Sequence, residues 1–214
     1  MKNYSYIIWD WNGTLFDDVD WCIDSMNLML NKRKMTPIAD IIAYHQAFVF
    51  PIINYYKNVG FDFTKEPFEN LAAEYIENYH FDKTGGSQLH PKAQLVLEAI
   101  DEMKISQIIL SASRRDNLLA QLDEFDINKY FEAILGLSDI YAKSKIDLGL
   151  EYFTDKKIEK SLVIGDTVHD YELAVELEAD CLLIASGHQS KEVLSSCGVP
   201  VLADISEVLK YLKS

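Results

Sequence analysis

Three cysteines in 214 residues, Cys22, Cys181 and Cys197, are too few and too scattered for a disulfide framework or a zinc site. Their scarcity points to a reducing compartment, and a cytoplasmic location is expected. Positive charge is also short: 20 Lys and Arg stand against 34 Asp and Glu, a formal net charge of −14. Clustered basic residues are what nucleic acid and anionic membrane surfaces require, so neither is expected as a partner. No apolar run approaches the roughly 18 residues of a membrane span, and no signal-like apolar core opens the sequence, so insertion and secretion are not expected. Internal repeats and low-complexity segments are missing as well. What is present is an ordinary hydrophobic fraction of 49%, enough for a core that needs no covalent staples.

The segment Ile7-Ile8-Trp9-Asp10-Trp11-Asn12-Gly13-Thr14-Leu15 carries the most information. An apolar run ends in an aspartate and a glycine turn follows at once, which reads as a buried strand presenting Asp10 at its carboxyl end. Five more strand-like runs lie in the second half: Gln107 to Ser111, Ala133 to Leu137, Ser161 to Asp166, Cys181 to Ala185, and Pro200 to Leu202. Helical stripes separate them, such as Leu95, Val96, Ala99, Ile100 and Met103, then Leu118, Leu119, Leu122 and Phe125. This alternation predicts an α/β fold, a Rossmann-like parallel sheet with helices on both faces. From about Asp18 to Asp82 the rhythm breaks into successive helical stripes: Ile23, Met26 and Leu30; Ile38, Ile41, Ile42 and His45; Ile52, Ile53, Tyr56 and Val59; Leu71, Tyr75, Ile76 and Tyr79. An all-helical insertion at 18–82 is expected, with a core domain of 1–17 and 83–214. Leu15–Asp18 and the glycine-bearing Lys83–Ser87 stretch would serve as its hinges.

Several strand ends carry chemistry when taken together. Asp10 alone could be a turn former, but held by backbone amides it can attack phosphorus as a nucleophile. Ser111 closes the second run, although alone it reads as a cap for the helix beginning at Arg114. Asp166 and Asp170 flank a turn after Leu162-Val163-Ile164-Gly165. Their spacing lets Asp166 reach a cation while Asp170, one helical turn on, binds or braces it; the alternative for Asp170 is a first-turn acid complementing the helix dipole. In Tyr141-Ala142-Lys143-Ser144-Lys145-Ile146 a lysine could offset phosphate and carboxylate charge. Lys145 is preferred, since it opens the helix bearing Ile146, Leu150 and Phe153, and Lys143 stays open. His169 reads as an exposed first-turn residue, and His188 follows a strand end on the ligand side. Arg114 and Arg115 could meet an anionic substrate tail, and Phe48, Phe50, Tyr55 and Tyr56 read mainly as helix packing.

In order, Asp10, Ser111, Lys145 and Gly165-Asp166-x-x-x-Asp170 resemble the four signature motifs of the haloacid dehalogenase (HAD) superfamily of aspartate-nucleophile hydrolases. The first motif of that superfamily is Asp-x-Asp-Gly-Thr, and here Asn12 replaces the second aspartate. A helical insertion directly after this motif is similar to the C1-type cap of the phosphoglycolate phosphatase-like branch. The resemblance implies a phosphatase of small phosphorylated metabolites that uses Mg²⁺ and an aspartyl-phosphate intermediate. Asp10 would be the nucleophile, and Asn12 would occupy the acid/base position. Mg²⁺ would be held by Asp10, the main-chain carbonyl of Asn12 and Asp166, with Asp170 as a ligand or brace. Ser111, Lys145 and the amides near Trp11 and Ala112 would hold the phosphoryl group.

Other readings differ in what they require. A mutase needs the second acid, which Asn12 removes. A phosphonate hydrolase needs a cap lysine, and Lys32, Lys34 and Lys57 lack a distinctive context. A dehalogenase works without metal, against which Asp166 and Asp170 argue. A signalling receiver is about half this length and lacks Gly-Asp-x-x-x-Asp. A non-catalytic or regulatory phosphate binder is the alternative that Asn12 keeps alive, and a related phosphotransferase on the same scaffold stands beside it.

Overall fold

A computed structural model describes residues 2–79, 88–137, 144–154 and 160–214. The chain divides into two compact units, Met1–Asp17 with Gln88–Ser214, and Asp18–Ser87. The expected hinge at Lys83–Ser87 and the alternative Lys143 lie outside the described residues. Among the described residues no helix is long and apolar enough to cross a membrane.

The unit Asp18–Ser87 is built from helices among its described residues: α1 (Val19–Lys32), α2 (Ile41–Ala47), α3 (Ile52–Asn58) and α4 (Phe68–Asn78). Cys22, Met26, Met29 and Leu30 turn the apolar face of α1 inward, where they meet Tyr44, Tyr55, Tyr56 and Leu71. Ile41 and Ile42, expected in a buried stripe, are exposed, and Tyr44 takes the inward position of α2. The larger ring fills more of a core already floored by aromatics, and Tyr55 packs edge-on against it. Arg33 ties the end of α1 to Glu66 and to Glu74 of α4, each at 2.6 Å.

The other unit holds β1 (Tyr6–Trp9), β2 (Ser106–Arg114), β3 (Ala133–Leu137), β4 (Ser161–Gly165), β5 (Asp180–Ile184) and β6 (Val201–Leu202). They pair in parallel in the order β3-β2-β1-β4-β5-β6. Ile8 stands in register with Ile108 on one side and Val163 on the other. Side chains alternate between faces along a strand, so this row shares one face. That face is covered by α7 (Lys145–Phe153), α8 (Val168–Glu176) and α9 (Lys191–Ser195) through Phe153, Leu173, Ala174 and Leu194. On the opposite face Trp9 donates to Gln107, whose amide donates to the Leu97 carbonyl of α5 (Ala93–Glu102). Burial on both faces is why these strands read as continuous apolar runs.

The second strand is longer than its apolar run. It continues past Ser111 to Arg114, which pairs with Leu137 after a register shift, and α6 (Arg115–Phe125) follows directly. The decisive topological feature is the reversal at β1: β2 and β3 lie to one side of it, and β4 to the other. Such a switch point opens a crevice at the carboxyl ends of the adjoining strands, here those of β1 and β4.

Candidate active site

Asp10 is the first residue beyond β1, and its amide donates to the Ile164 carbonyl of β4 at 2.9 Å. The chain then turns sharply, because the Trp11 carbonyl accepts from the amides of Leu15 and Phe16 at 3.0 and 2.9 Å. Gly13 makes this turn with φ +77°, in the left-handed region that favours glycine. A Cβ there would lie 2.3 Å from Oδ2 of Asp166, so the missing side chain also makes room for that carboxylate.

Asp166 follows β4 and is fully buried. The Thr14 hydroxyl donates to its Oδ1 at 2.8 Å, and the main-chain N–H of His188 donates to its Oδ2 at 2.7 Å. Asp170 sits in the first turn of α8, where Oδ2 accepts from the amides of Asp166 and Thr167 and from the Thr167 hydroxyl. Gly165 permits this, since a Cβ on it would fall 2.1 Å from the Asp170 carboxyl carbon. Lys145 opens α7, whose start is fixed by a capping box between Ser144 and Asp147. Its Nζ donates to Asp10 Oδ1 at 2.5 Å and to Asp170 Oδ1 at 2.6 Å.

Asp10, Asp166 and Asp170 each bring an oxygen within 4.8 Å of the others. Burial, and then the neighbouring Asp170 and Asp166, push the Asp10 carboxyl up to about 8 against the opposing pull of Lys145. Burial likewise raises Asp166. Asp170 moves the other way: burial opposes its charge, but the Lys145 ammonium and the Thr167 donors outweigh it and hold its pKa low. Lys145 is raised by the two carboxylates despite its own burial. One ammonium facing three clustered carboxylates leaves negative charge in a desolvated place, which a cation would relieve. The donors are all hard oxygens, so the cluster fits a divalent ion of the magnesium type.

The remaining expected residues divide between this crevice and other tasks. Ser111 is buried at the end of the apolar part of β2, and its hydroxyl accepts from the Ser113 amide at 3.1 Å. The Ser113 hydroxyl in turn donates to Asn12 Oδ1 at 2.6 Å, joining the first and second motifs. Ala112 is exposed. The Trp11 side chain is buried, stacks on Phe16 and donates to Gln121 of α6 at 2.7 Å. Only its main chain can serve a ligand. His188 meets Asp166 through its backbone, and its residue is buried. His169 is exposed beside Glu172, and Arg114 is exposed and paired with Asp116. Phe48, Phe50, Tyr55 and Tyr56 make ring contacts within the helical unit. Sequence reasoning did not single out Thr14, Ser113, His90 or Gly187. Thr14 had a signal, since a hydroxyl beside a glycine turn at a strand end faces whatever the next strand presents. The other three come together only through tertiary contacts.

Carboxylates and a lysine gathered at the carboxyl ends of parallel strands are the layout of an α/β protein that handles its ligand at a switch point. The family follows from the sequence: the model of the haloacid dehalogenase-like hydrolases matches residues 7–184, and the chain belongs to that family. Solved structures share the fold at low identity. A predicted phosphatase from Clostridium acetobutylicum superposes with a TM-score of 0.79 at 21% identity, covering 99% of each chain. A haloacid dehalogenase-like hydrolase from Streptococcus pneumoniae gives 0.81 at 20%, covering 97% of this chain and 98% of that one. Protein Tyrosine Kinase A from Mycobacterium tuberculosis gives 0.82 at 20%, covering all of both. A search of curated proteins finds none that matches.

Proposed function

We propose that the protein is a Mg²⁺-dependent phosphatase of small phosphorylated metabolites, working through an aspartyl-phosphate on Asp10. The observation that carries this reading is the cluster of Asp10, Asp166 and Asp170 within 4.8 Å, with Lys145 bonded to two of them. Asp10 attacks phosphorus with a carboxylate oxygen, the bond to the ester oxygen breaks, and the alcohol departs. Water then cleaves the acyl phosphate, releasing inorganic phosphate and restoring the carboxylate. Lys145 orients Asp10 and offsets charge on the transferring group. The Ser111 hydroxyl and the main-chain amides at Trp11 and Ala112 hold the remaining phosphoryl oxygens.

Asp10, the Asn12 carbonyl and Asp166 would hold the cation, with Asp170 acting mainly as a brace because its oxygens already serve the α8 turn and Lys145. When bound, the ion neutralises phosphoryl charge and lets Asp10 approach an anion. Asn12 offers hydrogen bonds and no transferable proton, so the leaving alkoxide must be protonated from solvent and both steps are slow. The acidic chain suits a small substrate rather than a polyanion. A panel of metabolite phosphates assayed with Mg²⁺ and with chelator tests the reading. Metal-dependent release of phosphate from a subset is expected, and no release from any of them under either condition contradicts it.

A further inference from the structure

His90 has no place in the chemistry above, yet it is only 6% exposed and directs Nε2 to the Gly13 carbonyl at 3.0 Å. Its backbone is fixed on both sides. The His90 amide donates to the Leu15 carbonyl at 2.9 Å, the Asp17 amide donates to the Gln88 carbonyl at 3.0 Å, and Phe16 bridges Leu89 in antiparallel sense. The His90 carbonyl accepts from Ala93 at the start of α5. These bonds deliver the ring to one atom of the turn after Asp10.

That atom sits in a crowded place. A Cβ on Gly187 would lie 2.5 Å from the Gly13 oxygen and 2.2 Å from Asp166 Oδ2, so three backbone and side-chain groups touch without spare room. The next residue, Thr14, supplies the hydroxyl that holds Asp166 Oδ1. Moving the Gly13 carbonyl by a few tenths of an ångström would therefore either press on Gly187 or turn Thr14 away from Asp166.

We infer that His90 is a positioning residue, whose Nε2–H bond to the Gly13 carbonyl sets the turn that orients Asp166. The inference rests on the reading of Asp166 as a cation ligand. A carbonyl only accepts, so Nε2 carries a proton in the native protein. His90 acts through Gly13 and Thr14, as outer partners of metal ligands do when they hold ligand geometry.

Two measurements test it, both independent of catalysis, and the first needs no metal. Nitrogen NMR of the wild-type protein should show Nε2 of His90 protonated, and His90→Phe should move the amide resonances of Thr14 and His188. Calorimetric Mg²⁺ titration should show affinity reduced on the order of tenfold in His90→Phe, with His90→Gln recovering most of it because its amide can donate from nearly the same place. A wild-type protein that binds no Mg²⁺ and releases no phosphate defeats the functional reading, while the NMR still judges His90. A bare Nε2 in the wild type, unmoved resonances in His90→Phe, or equal loss of affinity in the Phe and Gln variants overturns the inference. If His90→Phe does not fold, the wild-type protonation state and the affinity of His90→Gln carry the test.

Discussion

Removing the charge of Lys145 should cost stability before it costs chemistry. Its Nζ lies 2.5 Å from Asp10 and 2.6 Å from Asp170, with only 12% of the lysine side chain and 1% of the Asp170 side chain exposed. At an effective dielectric of about 20, each contact is a Coulomb attraction of roughly 6 kcal/mol before desolvation is counted, in full for Asp170 and for Asp10 once its raised carboxyl is ionised. The net quantity is smaller, because burying the ions opposes it. Breaking such a pair by deleting one partner costs about 3–5 kcal/mol, since the other charge is left buried and alone. Lys145→Met should accordingly lower the melting temperature of the metal-free protein by roughly 6–20 °C, at 2–4 °C per kcal/mol for a chain of this size. Two rescues follow from the same physics. Saturating Mg²⁺ should raise the variant's melting temperature by more than it raises the wild type's. Adding Asp170→Asn to Lys145→Met should restore part of the loss, because it removes the orphaned charge. Thermal unfolding of the three proteins with and without Mg²⁺ measures all of this. A double variant less stable than Lys145→Met, together with no extra stabilisation by Mg²⁺, would refute the electrostatic argument.

Asn12→Asp should raise turnover of alkyl phosphates by roughly 10²–10⁴-fold, the usual contribution of general acid–base help, and much less for aryl or acyl phosphates; equal gains on both classes in steady-state assays contradict the role given to Asn12. Asp166→Ala should weaken Mg²⁺ binding in calorimetry more than Asp170→Ala, while Asp170→Ala should lose more stability, by about 1–3 kcal/mol for the donors it strands; the opposite ranking would reverse the assignment of ligand and brace. Metal-free stability should fall as pH rises from about 4 to about 8. Asp10 is raised to about 8 on folding, so its contribution is full below the unfolded pKa and lost as pH passes the folded one. Asp170, held low by Lys145, acts oppositely and only in the acid range, where its contribution disappears as pH falls. Over the same interval Mg²⁺ affinity should rise with pH, because cation and proton compete for Asp10; flat affinity from pH 5 to 8 would contradict this.

The sheet was legible because its strands are buried on both faces and so announce themselves as apolar runs. Ala133–Leu137 keeps its bounds to the residue, and Ser161 and Leu202 keep theirs at one end. Arg114 was hidden, since β2 leaves the buried part of the sheet after Ser111 and carries on through Ala112 and Ser113 to pair Arg114 with Leu137. In the helical unit, apolarity misled where an aromatic competes with isoleucine: Ile42 and Ile76 are exposed while Tyr44 is buried. The carboxylates and Lys145 could be read because each follows a strand end or opens a helix. The contacts of Ser113 with Asn12, and of His90 with Gly13, join residues 101 and 77 positions apart. Nothing local in either partner encodes such a meeting.

The central claim is that phosphoryl transfer passes through Asp10, and it can be tested by isolating the covalent intermediate. Acid quenching during turnover of an acyl phosphate with Mg²⁺, followed by peptide mass spectrometry, should find a hydroxylamine-sensitive phosphate on Asp10. Its yield should be high in the wild-type chain, if Asn12 slows hydrolysis as proposed, and lower in Asn12→Asp. Phosphate released at the same rate by Asp10→Asn, with no modification of Asp10 in the wild type at any quench time, would contradict the account.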